Sequence, residues 1–225
     1  MTIRAVIFDA YGTLFDVQSV GALADRLFPG CGKALAELWR VKQIDYTRLR
    51  TMSNRYEPFS VVTRDALVFA GKALKLAPTD DQIVELMQEY DRLAVFPENR
   101  AGLARLRARG LPLGILSNAD PGMLEANIAS ADLHDMFDHL LSVDTVSCFK
   151  TAPDAYALGP YTFGIPASEI LFVSSNAWDA CGATWFGYTT FWINRAAAPL
   201  EELGVVPNGE GRTMDDVVAF VEASS

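Results

Sequence analysis

Residues 5–14 read AVIFDAYGTL: four apolar residues in a row, an aspartate, and then a turn built on Gly12. A short apolar run closed by turn residues reads as a strand buried on both faces. Asp9 therefore stands where a buried strand leaves the core, and with Thr13 it frames the pattern DxxGT. A carboxylate there contributes little to packing; it is either a cap or Asx-turn acid or a chemical group. Four further β-prone runs follow, at 112–116, 139–143, 170–173 and 189–193, with helical patterns between them. Strands alternating with helices predict an α/β fold with a Rossmann-like, doubly wound parallel sheet. Ligands of such sheets sit beyond the carboxyl ends of the strands, which would gather Asp9, Ser117, Asn118, Asp144 and the run Ser174, Ser175, Asn176 on one edge.

The interval between the first two strands is far longer than a crossover connection needs. Helical periodicity runs over 19–28, 33–53, 60–76 and 79–94 and is broken at Pro29-Gly30, Pro58 and Pro78. These patterns predict an inserted four-helix cap domain over 16–96, with 1–15 and 97–225 forming the core domain.

Composition narrows the function classes. The chain has 225 residues, 50% of them hydrophobic, a net charge of -9 and no Lys/Arg-rich run, which argues against nucleic acid or an anionic membrane surface as a partner. No stretch has the length and apolarity of a membrane span, and the first apolar run is too short for a signal segment. Cys31, Cys148 and Cys181 share no metal or redox spacing and read as reduced thiols packed inside a cytoplasmic protein.

Three more clusters bear on chemistry. LGILSN (113–118) ends a strand in a hydroxyl and an amide just before a helix start at Asp120-Pro121, an arrangement that suits an anion site or simply a capped helix. Lys150 follows a strand and precedes Pro153, and it either reaches back over the same edge or is solvated. ILFVSSNAWDA (170–180) runs from a strand into two serines, Asn176 and, at the head of a helix, Asp179. An elaborate N-cap is the alternative reading of that last cluster.

These four segments in this order resemble the haloacid dehalogenase superfamily. DAYGTLFDV (9–17) and SSNAWD (174–179) are similar more specifically to its L-2-haloacid dehalogenase branch. Most of the superfamily are magnesium-dependent phosphatases with a second aspartate two residues after the nucleophile, acting as general acid. Here that residue is Tyr11. An alkoxide must be protonated as it departs, whereas a halide needs no proton. Ser174-Ser175 stands where the phosphatases have Gly-Asp, and Asp9 with Asp179 alone is a poor oxygen set for Mg²⁺.

The resemblance thus implies a metal-independent, cofactor-free enzyme that converts short (S)-2-haloalkanoates to (R)-2-hydroxy acids with inversion. It implies Asp9 as nucleophile and Lys150 beside it, anchoring the substrate carboxylate with Ser117. Arg40, Asn118 and Trp178 would receive the halide, and Tyr11 and Phe59 would form apolar walls. Thr13, Tyr156 and Ser174 would bond Asp9, Lys150 or Asp179, while Asn176 and Asp179 would orient the hydrolytic water. A homodimer is also implied, with Trp185, Phe186, Tyr188 and Trp192 either at its interface or in the core. The rival readings are a magnesium phosphatase of the same fold and a non-catalytic relative that binds a small anion or a partner protein. One departure stands out: Thr151 follows Lys150 where many relatives have proline.

Overall fold

The computed structural model describes residues 2–224. The chain opens with β1 (Ala5–Phe8) and β2 (Phe15–Asp16), then α1 (Gly21–Leu27), α2 (Gly32–Met52), α3 (Phe59–Ala73), α4 (Asp80–Tyr90) and β3 (Ala94–Val95). It continues through α5 (Asn99–Ala108), β4 (Leu113–Ser117), α6 (Pro121–Ser130), β5 (His139–Ser142), α7 (Pro153–Phe163), β6 (Ile170–Ser174) and α8 (Ala177–Phe186). It closes with β7 (Thr189–Ile193), β8 (Gly209–Gly211) and α9 (Met214–Ala223).

The main sheet has the order β5-β4-β1-β6-β7-β8, and every neighbouring pair is parallel. The first strand lies in the middle: the chain builds outward from it through β4 and β5, then returns to build the other side through β6, β7 and β8. The winding reverses at β1, and the crevice at such a switch point is where ligands bind. The expected doubly wound α/β sheet is what the chain adopts. Its central strands β1, β4 and β6 are buried at every residue, which is why they read as unbroken apolar runs rather than alternating ones.

The sixth strand carries no such signal. Residues 209–211 are Gly-Glu-Gly, and a Cβ added at Gly209 would lie 2.7 Å from a Phe191 ring carbon and 2.8 Å from Phe220. Rings from β7 and α9 occupy the space a side chain would need, and this edge strand is held by backbone pairing to β7 and by the Asn194 amide on Glu210.

Helices α1 to α4 form an excursion that leaves and re-enters through an antiparallel ribbon, Phe15 opposite Val95 and Asp16 opposite Ala94. The three sequence breaks fall between successive helices. Within the excursion Trp39 donates to the Thr63 carbonyl at 2.7 Å, and α4 starts on a reciprocal cap between Thr79 and Gln82.

Of the cysteines expected to be packed inside, Cys181 is buried but Cys31 and Cys148 are only half-buried. Tyr188 and Trp192 belong to the core, whereas Trp185 is 57% exposed. Among the described residues no helix is long and apolar enough to cross a membrane.

Placing a side chain on the crowded edge strand should overpack it. Gly209→Val is expected to destabilise the protein by roughly 1–3 kcal/mol and to lower Tm by several degrees in a thermal melt.

Candidate active site

The Asp9 backbone N–H donates to the Val173 carbonyl at 2.9 Å, continuing the β1–β6 ladder one residue past the strand. The chain then turns sharply at Gly12, whose φ of +91° lies in the left-handed region and whose added Cβ would meet Ser175 Oγ at 3.1 Å. This turn folds Thr13 back so that its hydroxyl donates to Asp9 Oδ2 at 3.0 Å. The Ser175 backbone N–H donates to Thr13 Oγ1 at 2.8 Å, fixing the hydroxyl from the β6 side.

β4 delivers the next group. Asn118 Oδ1 accepts the backbone N–H of Lys150 at 2.9 Å, which pins the loop that carries the lysine. The Lys150 ammonium lies 3.1 Å from Asp9 Oδ1 and 3.0 Å from Asp179 Oδ2. Asp179 sits in the first turn of α8, and its Oδ1 accepts the Tyr156 hydroxyl at 2.7 Å. Asn176 reaches back from the β6 exit: its Nδ2 donates to Asp9 Oδ2 at 2.9 Å and to the Tyr11 carbonyl at 3.1 Å.

These charges are almost wholly out of water, with side-chain exposures of 1% for Lys150, 9% for Asp9 and 0% for Asp179. Burial by itself would favour a neutral Lys150, but the attraction of Asp179 and Asp9 outweighs it, and the ammonium is held more tightly protonated than an ordinary lysine. Asp179 is pushed above the usual carboxylate range, chiefly by burial; Lys150 opposes this and the charge on Asp9 adds to it. The Tyr156 phenol is pushed well up by burial and then by Asp179, so it acts as a neutral donor.

A carboxylate oxygen has two lone pairs. Among the described residues, Asp9 Oδ2 accepts from both Thr13 and Asn176, whereas Oδ1 accepts from Lys150 alone. The oxygen left with an open lone pair is Oδ1.

Above this cluster lies a narrow pocket between the sheet edge and the helical excursion, lined by Asp9, Tyr11, Arg40, Ile44, Phe59, Asn118, Asn176 and Trp178. Arg40, from α2, points down into it. Its Nη2 donates to the Tyr11 carbonyl at 3.3 Å and to Asn176 Oδ1 at 3.4 Å, and its Nη1 to Gln43 Oε1 at 2.6 Å. Gln43 is fully buried and is itself held by Thr63 Oγ1 at 2.7 Å and by the Tyr90 hydroxyl at 3.0 Å. The Tyr11 ring packs between Phe59 and Tyr90, with centroids 5.6 and 5.4 Å away. Burial, then Tyr90 and the acids Asp91 and Asp120, push its phenol well above the ordinary value. Tyr11 is thus a wall with a proton it does not release.

Of the residues singled out from the sequence, Asp9, Tyr11, Arg40, Phe59, Asn118, Asn176 and Trp178 meet around the pocket, and Thr13, Lys150, Tyr156 and Asp179 lie beneath it. The two serines are placed differently. Ser117 Oγ accepts the Ala119 N–H at 3.0 Å. Ser174 Oγ accepts the Asn176 N–H at 3.1 Å, because a serine at a strand exit readily caps the amide two residues on. Asp144 accepts from Tyr56 at 2.8 Å and lies outside the pocket lining. Despite Thr151 in place of proline, with the Lys150–Thr151 peptide cis, the ammonium reaches both acids.

Sequence reading missed Gln43, Ile44 and Asn127, the last of which donates to the Tyr11 hydroxyl at 3.3 Å. The available signal was spacing: Gln43 and Ile44 lie three and four residues after Arg40, hence on the same face of α2.

The site does not suit a divalent metal. Among the described residues no group of three or more His, Cys, Asp or Glu could hold one. The two carboxylates that come together, Asp9 and Asp179, are bridged by the Lys150 ammonium, which stands where a cation would have to bind.

The family model for haloacid dehalogenase-like hydrolases matches residues 3–187. The chain is similar to the (S)-2-haloacid dehalogenase of Pseudomonas sp. (strain YL), with 45% identity over 223 residues, 99% of this chain and 96% of that one. Among solved structures, it matches an L-2-haloacid dehalogenase with a TM-score of 0.97 at 56% identity, covering 99% of this chain and 100% of the other. It also matches the L-2-haloacid dehalogenase from Xanthobacter autotrophicus with chloropropionic acid covalently bound, with a TM-score of 0.93 at 36% identity and full coverage of both chains.

Removing the shared cation should leave a buried charge unpaired. Lys150→Met is expected to cost about 3–5 kcal/mol near neutral pH in urea unfolding. Without the ammonium, Asp179 is raised further above its unfolded value of about 3.9. A carboxyl raised in the folded state loses stability as pH climbs from the unfolded value through the folded one. The gap between variant and parent should therefore narrow as pH is lowered toward 4; a gap independent of pH would contradict this electrostatic reading.

Proposed function

The chain belongs to the haloacid dehalogenase-like hydrolases, and from that premise we propose that it is a hydrolase converting short (S)-2-haloalkanoates to (R)-2-hydroxy acids through an ester formed on Asp9. The observation that carries the proposal is the state of Asp9: a carboxylate with one open lone pair, at the base of a pocket whose opposite wall presents Arg40 and whose neighbouring wall, Tyr11, offers no acid.

In the first step Asp9 Oδ1 attacks the halogen-bearing carbon from the face opposite the halogen. The carbon–halogen bond breaks with its electron pair leaving on the halide, and the carbon inverts. Substrate and nucleophile are both anions, so cations are needed at each end. The Lys150 ammonium adjoins the nucleophile, and its remaining N–H would hold the substrate carboxylate. Arg40, Asn118 and Trp178, which face one another across the pocket, would receive the halide.

In the second step water attacks the ester carbonyl carbon. The carbonyl oxygen is then the former Oδ2, and its donors, Thr13 Oγ1 and Asn176 Nδ2, stand 3.0 and 2.9 Å from it, as an oxyanion site requires. Collapse expels the hydroxy acid with Oδ1 as its hydroxyl oxygen. One proton of the water goes to that hydroxyl and the other to solvent, and Asp9 keeps the water's oxygen. Asp179, whose oxygens accept one donor each, Lys150 and Tyr156, would hold the ammonium and, with Asn176, orient the hydrolytic water.

The covalently bound chloropropionic acid of the Xanthobacter relative supports an ester intermediate here as well. Residues 16–96 are read as the cap: they bring Arg40 and Phe59 over the nucleophile and would exclude water once substrate is bound. Phosphate-ester hydrolysis is disfavoured by the absence of an acid at position 11 and by the lysine between the two carboxylates.

Incubation with (S)-2-chloropropionate in the presence of EDTA should release chloride and yield (R)-lactate, resolved by chiral chromatography. Asp9→Asn should lower the rate by at least about 10³-fold, and Arg40→Gln should lower kcat/KM by about 10²-fold. No halide from any short 2-haloacid, or EDTA-sensitive turnover of a phosphate ester, would overturn the proposal.

A further inference from the structure

Asp120 belongs to the core, yet it caps a helix in the excursion. Its Oδ1 accepts the Met123 N–H at 3.1 Å, the ordinary cap of α6. Its Oδ2 accepts the N–H of Ser60 at 2.9 Å, and Ser60 is the second residue of α3. That helix takes a cap from elsewhere, because its own N-cap residue is Pro58, which makes no side-chain cap bond. One carboxylate thus faces the positive ends of two helices, one on each side of the pocket.

The position of this bond matters because of what adjoins it. Phe59, directly before Ser60, is 1% exposed and lines the pocket, with its ring 5.6 Å from Tyr11 and 6.2 Å from Phe149. Asn118, two residues before Asp120, lines the same pocket and fixes the Lys150 backbone. The distance between the start of α3 and Asp120 therefore sets the distance between an apolar wall and the loop that holds the catalytic charges. Two other bonds tie the neighbouring stretch to the core, Tyr56 to Asp144 at 2.8 Å and the Phe149 N–H to Thr51 Oγ1 at 3.0 Å, but neither acts on α3 itself.

We propose that Asp120 is a positioning residue that seats α3 on the core and, through Phe59, fixes the apolar wall against which the alkyl group of the substrate packs. The substrate part of this rests on the haloacid reading above; the seating part does not.

Two variants separate the roles of the carboxylate. Asp120→Ser retains an N-cap for α6 but is too short to reach Ser60, and Asp120→Asn is isosteric but has one acceptor oxygen for two N–H groups. The measurements are amide hydrogen exchange at Ser60 and Met123, and kcat and KM for chloroacetate and 2-chlorobutyrate. In Asp120→Ser, Ser60 should exchange faster while Met123 stays protected. KM for 2-chlorobutyrate should rise about fivefold, the worth of a typical hydrogen bond, with kcat and the chloroacetate KM changed by less than about twofold. Parent-like exchange at Ser60, or equal losses with both substrates, would overturn the proposal. If the serine variant does not fold, Asp120→Asn is read by the same criteria. A parent protein that releases no halide from either acid refutes the haloacid reading alone, and exchange at Ser60 then decides the seating.

Discussion

Two carboxylates, Asp9 and Asp179, share the Lys150 ammonium in a part of the protein nearly closed to water. Taking three charges out of water costs several kcal/mol apiece unless each is paired and hydrogen-bonded. The surrounding structure meets that demand group by group: Tyr156 on Asp179, Thr13 and Asn176 on Asp9, and Asn118 on the backbone of the lysine. The partners come from the ends of β1, β4 and β6 and from α7 and α8, so the cluster exists only when the doubly wound sheet is assembled. The cluster still carries one more negative charge than positive, and that excess has to be tolerated when an anionic substrate arrives. Arg40, held over the pocket from α2, supplies the missing cation, and the buried Gln43–Thr63–Tyr90 network supports its geometry from within the excursion.

The bonding of Asp9 divides its two oxygens between two tasks. Oδ1 is left open for attack, and Oδ2 is surrounded by the donors that the ester carbonyl will need later. A single arrangement thus serves formation and breakdown of the intermediate without rearranging donors between the steps, which is what preorganisation means for an oxyanion. Tyr11 completes the selection of chemistry from the other side. Its phenol is buried among aromatic rings and keeps its proton, so the site favours leaving groups that depart without one.

Much of this was legible in the chain. Strands β1, β4 and β6 are apolar runs up to their exits because both faces of the sheet are covered, β7 (TTFWI) is β-prone throughout, and the DxxGT turn follows from a strand ending near a glycine with positive φ. Strand β8 was not legible, since Gly209 is dictated by the Phe191 and Phe220 rings and Gly211 by Asp216 and the Phe191 ring, rather than by any strand propensity of their own. Taken locally, Lys150 reads equally as a solvated cation, and nothing around Arg40 marks it as a site residue. Lys150 is buried by partners far away in sequence, and Arg40 reaches across from the excursion to Tyr11 and Asn176. Their roles came from resemblance.

The central claim is that Asp9 becomes covalently attached to the substrate, and the fate of one oxygen atom tests it. With enzyme in excess over (S)-2-chloropropionate in oxygen-18 water, a single turnover should give lactate whose hydroxyl oxygen is unlabelled, with the heavy oxygen found by mass spectrometry in the peptide containing Asp9. Lactate labelled in that first turnover, with an unlabelled Asp9 peptide, would mean that water attacks the substrate carbon directly and would contradict the nucleophilic role of Asp9.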